Sequence, residues 1–309
     1  MSFNKPYELS SPSGASLSVR SAKPKRKPKA IIHILHGMAE HSERYGRFAD
    51  ALTKAGYGVF AHDHRGHGHT TAPNASLGSF GDKGWDGVIT DVHAVSTHIG
   101  EQHPGVPIIV FGHSMGAIIC FNYILRHPGA ISGGAIWNSG VETGFLGVVF
   151  RLILKFERFR KGSDVPSTVA QKLTFETWNK DFAPNRTEFD WLSRDNAEVD
   201  KYIADPLCGF PVTNGLWQDL IEGIYYAADD SNLTALPKDL PVHLQAGAKD
   251  PCSMNGKAIE HIEVRMKRAG MNDVTFKLLD DTRHESLNEI NRDAVTADFI
   301  AWLNARFGT

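Results

Sequence analysis

The chain has 309 residues, 41% hydrophobic and 22% charged, with 33 Lys plus Arg against 35 Asp plus Glu. This is the composition of a soluble globular protein, and it excludes disordered, collagen-like and disulfide-scaffold classes. A formal charge of −2 offers no clustered positive surface of the kind nucleic acid requires, so no nucleic-acid partner is expected.

The stretch Met1-Ser2-Phe3-Asn4-Lys5-Pro6-Tyr7-Glu8 lacks the apolar core of a signal peptide, and no run of 18 apolar residues follows it. A cytoplasmic address is the expectation. Lys23-Pro24-Lys25-Arg26-Lys27-Pro28-Lys29 reads as an exposed, Pro-broken loop. Short apolar runs then occur at Ala30–Leu35, Tyr57–Ala61, Ile108–Phe111, Gly134–Trp137, Val242–Gln245 and Val274–Leu279, most of them with the pattern of fully buried strands. Between the second and third runs, Trp85, Val88, Ile89, Val92, Val95 and Ile99 share one face of a helix, and Ala294, Phe299, Trp302 and Leu303 mark a terminal one. Strands alternating with helices predict βαβ units and a mostly parallel sheet, hence an α/β fold. The alternation lapses between about Gly140 and Thr213. The expected organisation is therefore a core in two parts, residues 1–140 and 214–309, interrupted by a helical cap at 141–213.

Cys120, Cys208 and Cys252 are odd in number and widely spaced, which suits neither a disulfide framework nor a C-x-x-C pair and fits a reducing compartment. The chemistry is concentrated at Ile108–Cys120, where a buried strand runs into Gly112-His113-Ser114-Met115-Gly116 and then an apolar helix. Strand, Gly-x-Ser-x-Gly and helix in that order describe a nucleophile elbow, a strained turn that exposes the serine hydroxyl. A serine needs a base, and the base an orienting acid, arriving in the chain order Ser, acid, His. Asp250 and His284 each lie just beyond the carboxyl end of a predicted strand, the edge at which sites of open parallel sheets form. His243 and His261 fall inside a strand and a helix, while Asp280 and Asp281 compete with Asp250 for the acid role but share a loop with His284. His36-Gly37-Met38 follows the first strong strand, so the backbone N–H groups of Met38 and Met115 are the expected oxyanion donors.

His36-Gly37-x-x-Glu40-His41-Ser42-x-Arg44-Tyr45, Asp63-His64-Arg65-Gly66-His67-Gly68, Gly112-His113-Ser114-Met115-Gly116, Asp250 and His284 together resemble the monoacylglycerol lipase and lysophospholipase group of serine α/β-hydrolases. The resemblance runs from about residue 15 to the end, and includes Ser193-Arg194-Asp195 and Asp205-Pro206-Leu207 in the insertion. It implies an eight-stranded sheet, a mobile helical cap, and hydrolysis of an acyl-ester or lipid substrate without a cofactor. It also implies a structural role for the Asp63–Gly68 motif, so the His62, His64, His67 and His69 cluster is read as a turn and no metal site is expected. Asp250-Pro251-Cys252 departs from the longer aspartate loop of the better-known members and raises the question whether Cys252 lines the acyl site.

Within the insertion, Phe145 to Lys161 mixes ten aliphatic and aromatic residues with Arg151, Lys155, Arg158, Arg160 and Lys161. Such a segment reads as a greasy helix with a basic fringe, suited to packing within the cap, the roof of an acyl pocket, or peripheral contact with an anionic lipid surface. An iminopeptidase-type amidase is the enzyme alternative, and a small-molecule binding module the non-enzyme one. Haloalkane dehalogenase or epoxide hydrolase chemistry needs an acidic nucleophile, and position 114 is Ser. These motifs set neither acyl length, head group nor oligomeric state.

Overall fold

The structure is a computed structural model that describes residues 3–141 and 143–308. Eight strands, β1 (Tyr7–Ser10), β2 (Ser16–Ala22), β3 (Ile31–Leu35), β4 (Gly58–His62), β5 (Ile108–His113), β6 (Gly133–Trp137), β7 (Val242–Gly247) and β8 (Val274–Leu279), form one sheet in the order β1-β2-β4-β3-β5-β6-β7-β8. The pairings from β4 through β8 are parallel, while β1–β2 and β2–β4 are antiparallel. This is the mostly parallel α/β sheet the alternation predicts.

Side chains alternate across the sheet as its period of two requires. Ile109 and Phe111 join Ile34, Ala61 and Trp137 on one face, covered by α1 (Gly46–Lys54) and by the helix at Arg292–Phe307. Val110 joins Leu35, Ile136 and Leu244 on the other, under α2 (Gly84–Gln102) and α3 (Met115–Arg126) and the later helices at Asn214–Ala228 and Lys257–Arg268. Fully burying a side chain such as Phe111 or Val110 contributes about 1.5–3 kcal/mol. The two buried faces explain why β3 to β7 read as continuous apolar runs.

At two strands the structure departs from the sequence reading, while the Lys23–Lys29 segment is the exposed loop that was expected. The hairpin β1–β2 was not anticipated, because Tyr7-Glu8-Leu9-Ser10 is polar at alternate positions and half-exposed at the sheet edge. β8 forms over the predicted residues but is only half-buried, since it is the opposite edge. The Lys23–Lys29 loop leads into the start of β3, so it lies at the opposite end of the sheet from the strand ends that carry the candidate site.

Between β6 and β7 no strand forms among the described residues. The chain runs through α4 (Phe145–Lys161), α5 (Thr168–Gln171), a π-helical turn at Lys172–Glu176, α6 (Thr177–Lys180), α7 (Asn196–Ala204) and α8 (Asn214–Ala228), then a 3-10 turn at Asp230–Ala235. The helices α9 (Lys257–Arg268) and α10 (Arg292–Phe307) complete the chain. On α4, Leu154 is fully buried and Phe150 meets Trp217 of α8 edge-on at 6.1 Å. Its other side is bare: Val148, Leu152, Phe156 and Phe159 are 44, 61, 66 and 89% exposed. Spaced four, four and three residues apart, they make one apolar stripe along the helix.

Candidate active site

Ser114 sits between the last residue of β5 and the first of α3, with φ +55° and ψ −121°. A non-glycine residue with positive φ is strained, and the neighbours hold it there. The Ser114 N–H donates to the Trp137 carbonyl at 3.0 Å. A Cβ on Gly112 would stand 2.1 Å from the Gly116 carbonyl oxygen, and one on Gly116 would stand 2.1 Å from that of Leu35. Only glycine therefore fits on either side of the serine, which is the physical content of the Gly-x-Ser-x-Gly spacing.

The structure brings His284 and Asp250 together across 34 residues. His284 Nδ1–H donates to Asp250 Oδ1 at 2.9 Å, both residues being buried. The same carboxylate accepts the Cys252 N–H at 3.0 Å, and Asn138 Nδ2 approaches its other oxygen at 3.4 Å. Burial by itself would raise the Asp250 pKa, yet the facing imidazole and the hydrogen bonds from His284 and Asn138 hold it below the usual carboxylate value. With Nδ1 committed to Asp250, Nε2 is the nitrogen left for proton transfer. Asp280 and Asp281, by contrast, are exposed.

Ser114 and His284 line one cavity of about 370 Å³ together with Gly37 and Met38, a size suited to a small-molecule ligand. Its upper wall is apolar and comes from the insertion: Phe175, Phe189, Trp191, Leu192 and Phe210, with Trp217 of α8. Trp191 lies 4.7 Å from the His284 ring, centroid to centroid, and its carbonyl accepts the His284 N–H at 3.5 Å. Gln171, Glu176, Lys180, Asn185 and Glu188 supply the exposed polar part of the lining, beside buried Glu40, His113, Ser167, Asn179 and Glu285. Cys252 is not among the lining residues. It packs instead beside Asp250 against the Trp191 cluster, where burial and the Asp250 carboxylate push its thiol pKa up.

Met38 lies on the cavity wall, and Met115 is the first residue of α3, whose opening N–H groups have no partner within the helix. The loop that carries Met38 is fixed from three sides. His36 Nδ1–H donates to the Gly37 carbonyl at 2.7 Å while its Nε2 accepts the His64 N–H at 2.9 Å. Glu40 Oε1 accepts the Gly37 N–H at 2.5 Å and the Tyr45 hydroxyl at 2.8 Å. Tyr202 of α7 donates its hydroxyl to the Ala39 carbonyl at 3.0 Å.

Sequence reasoning singled out Glu40 and Arg44 only as part of a motif and missed Glu285 and Asn138. Arg44 bonds Glu40 on its own loop and both oxygens of Glu285, the residue after His284. Asn138, with φ +54°, accepts the Ser286 hydroxyl at 2.7 Å while facing Asp250. The available signal was adjacency: Glu285 touches His284 in sequence, and Asn138 follows the strand beside the elbow.

The histidine cluster divides. His69 is exposed, whereas His62, His64 and His67 are buried and pack at tilted or edge-on angles with His33 and His36, the His33–His62 hydrogen bond measuring 3.1 Å. Arg65 is buried too, bound to Asp91 at 2.8 Å and Ser13 at 2.6 Å.

Among curated proteins, the chain is 28% identical to the monoglyceride lipase of Mus musculus over 98% of its length and 93% of the relative's. It is 27% identical to the monoacylglycerol lipase of Mycolicibacterium smegmatis over 91% and 90%. Among solved structures, a thermostable carboxyl esterase from Bacillus coagulans superposes with a TM-score of 0.89 at 25% identity, over 99% of both chains. The Saccharomyces cerevisiae monoglyceride lipase superposes with a TM-score of 0.76 at 20% identity, over 97% of this chain and 94% of that one. Residues 26–291 match the Hydrolase_4 family, described as serine aminopeptidase, S33, so the chain belongs to that family, within the monoacylglycerol lipase group of α/β-hydrolases.

Proposed function

We propose that this protein is a serine carboxylic-ester hydrolase that cleaves single-chain acyl esters, monoacylglycerols and lysophospholipids. The observation that carries the reading is the joint position of a strained elbow serine and a buried His284–Asp250 pair around one cavity with an apolar roof. In this reading Ser114 attacks the ester carbonyl as His284 Nε2 takes its proton. Asp250 holds the imidazole and stabilises its cationic form, and the N–H groups of Met38 and Met115 receive the oxyanion. His284 then protonates the leaving alcohol, and water, activated by the same base, hydrolyses the acyl-enzyme. None of these steps calls on a cofactor or a metal.

Residues 141–213 act as the cap, whose aromatic underside accepts the acyl chain. The bare stripe of α4 supports peripheral contact with a lipid surface, because four apolar side chains in a row on the outside of a soluble fold are a liability unless something covers them. Part of its basic fringe is already engaged, Arg151 over the Tyr225 ring and Arg158 on Gln218, while Lys155 and Arg160 are exposed. No helix among the described residues is long and apolar enough to cross a membrane.

The test is a substrate panel run on the wild type and on Ser114→Ala: monoacylglycerols of graded length, a lysophospholipid, a short aryl ester and an aminoacyl amide. Ester cleavage that falls on the order of 10⁴ to 10⁶-fold in the alanine variant, with the fold intact, supports the reading. Activity that survives in the variant, or a preference for the amide, overturns it.

A further inference from the structure

The turn after β7 brings together three groups that hydrolysis uses only in part. One ligand atom each from Asp250, Cys252 and His284 lies within 4.8 Å of the other two. Thiolate, carboxylate and imidazole are the donor types that hold Zn²⁺, at bond lengths of about 2.0–2.3 Å, with a fourth position open to water. The His284 Nδ1 to Asp250 Oδ1 separation is already 2.9 Å, close to the spacing of two ligands on one tetrahedral ion. The thiol, within 4.8 Å of the other two ligand atoms, must move closer to share one ion with them, and Cys252 lies on a turn and is only partly buried.

We propose that Asp250, Cys252 and His284 form a binding site for a thiophilic divalent cation such as Zn²⁺, and that its occupation switches the hydrolase off. The site stands on geometry alone; the inhibition rests on the reading of His284 as the base. Binding exchanges the thiol proton, released to solvent, for the metal–sulfur bond. Nδ1 is the nitrogen that faces Asp250, and a metal bound there in place of its proton forces that proton onto Nε2, so the lone pair that would accept the serine proton is lost.

A second trio, His41, Asp205 and Cys208, meets the same distance criterion. There, however, the Arg44 guanidinium acts on both Asp205 and Cys208 and repels an incoming cation, so it serves as the control.

The experiment titrates Zn²⁺ into the ester assay in buffer free of chelators and thiols, for the wild type, Cys252→Ala and Cys208→Ala, and records Co²⁺ absorption spectra of all three. The proposal expects inhibition of the wild type and of Cys208→Ala at the same Zn²⁺ concentration. Cys252→Ala should need at least ten times more, with unchanged turnover without metal. The thiolate-to-cobalt charge-transfer band should disappear only in Cys252→Ala. A band that disappears in Cys208→Ala instead, or equal inhibition of Cys252→Ala, overturns the site. A Cys252-dependent cobalt band without loss of turnover upholds the site and counts against His284 as the base.

Discussion

Arg44 reaches both carboxylate oxygens of Glu285 at 2.7 Å. Through its further bond to Glu40 it ties the loop that carries Met38 to the loop that carries His284. All three side chains are largely buried, the acids almost completely. Two buried carboxylates facing one guanidinium are tolerable only while the cation is present: burial by itself would raise the Glu40 pKa, and Arg44, with His113 and His36, holds it down to about 2. Arg44→Met should therefore leave two like charges unpaired and destabilise the protein by about 3–5 kcal/mol. Denaturant unfolding measures this. Arg44→Lys should recover part of the stability but not the forked geometry, and should still turn over ester more slowly.

Asp250→Asn should keep the fold and cost on the order of 10⁴ in ester turnover, because the amide presents the wrong hydrogen-bonding partner to Nδ1–H. Asp280→Asn and Asp281→Asn, at exposed positions, should cost far less. Steady-state kinetics on the three variants decides the matter, and equal losses would remove Asp250 from the role of orienting acid.

Gly116→Ala should not fold normally. The added methyl meets the Leu35 carbonyl oxygen at 2.1 Å, a backbone atom of the central strand that cannot swing aside. The expected cost is on the order of 3 kcal/mol or more, visible as a lowered melting temperature together with lost turnover. Gly129→Ala, with nothing within 4 Å of the new methyl, is the matched control and should be close to neutral.

Acid should unfold this protein earlier than its carboxylates alone would dictate. Burial holds the pKa values of His36, His62 and His113 down to about 4 and those of His67 and His243 to about 3, against 6.5 in an unfolded chain. Below pH 6.5 the unfolded state binds protons that the folded state refuses, so stability is fully present above 6.5. It falls as pH drops towards 4 and 3, each imidazole removing about 1.4 kcal/mol per pH unit. Melting temperatures measured from pH 8 to 4 should decline steeply from about 6.5 downward. A curve flat to pH 5 would mean that the cluster is not buried and neutral in the folded state.

The two sides of α4 should respond differently to substitution. Leu152→Ser, Phe156→Ser and Phe159→Ser together remove the three most exposed of the four side chains in the bare stripe and should weaken vesicle co-sedimentation and long-chain ester hydrolysis. Melting temperature and short-ester turnover should remain as they were. Leu154→Ala, on the buried side, should cost about 2–5 kcal/mol of stability. If the triple variant instead lowers the melting temperature and leaves sedimentation unchanged, the stripe covers another part of the protein and not a lipid surface.

Taken by itself, the sequence determined the α/β class, the central strands, the elbow at Ser114 and the span Phe145–Lys161 of a single helix. Each of these is written in local terms: apolar period, glycine spacing and turn chemistry act over a few residues. It also ranked Asp250 and His284 as partners by chain order, although the 2.9 Å contact between them is made only when β7 and β8 lie side by side. Tertiary structure alone decided the rest. The hairpin β1–β2 is stabilised by pairing with β4 more than by any pattern of its own. The buried or bare side of α4 is set by where α8 lies. Glu285 and Asn138 acquire their positions because distant loops converge at the carboxyl ends of the strands. Periodicity reports what a segment needs to bury, whereas only packing settles which neighbour buries it and which polar groups then face each other out of water.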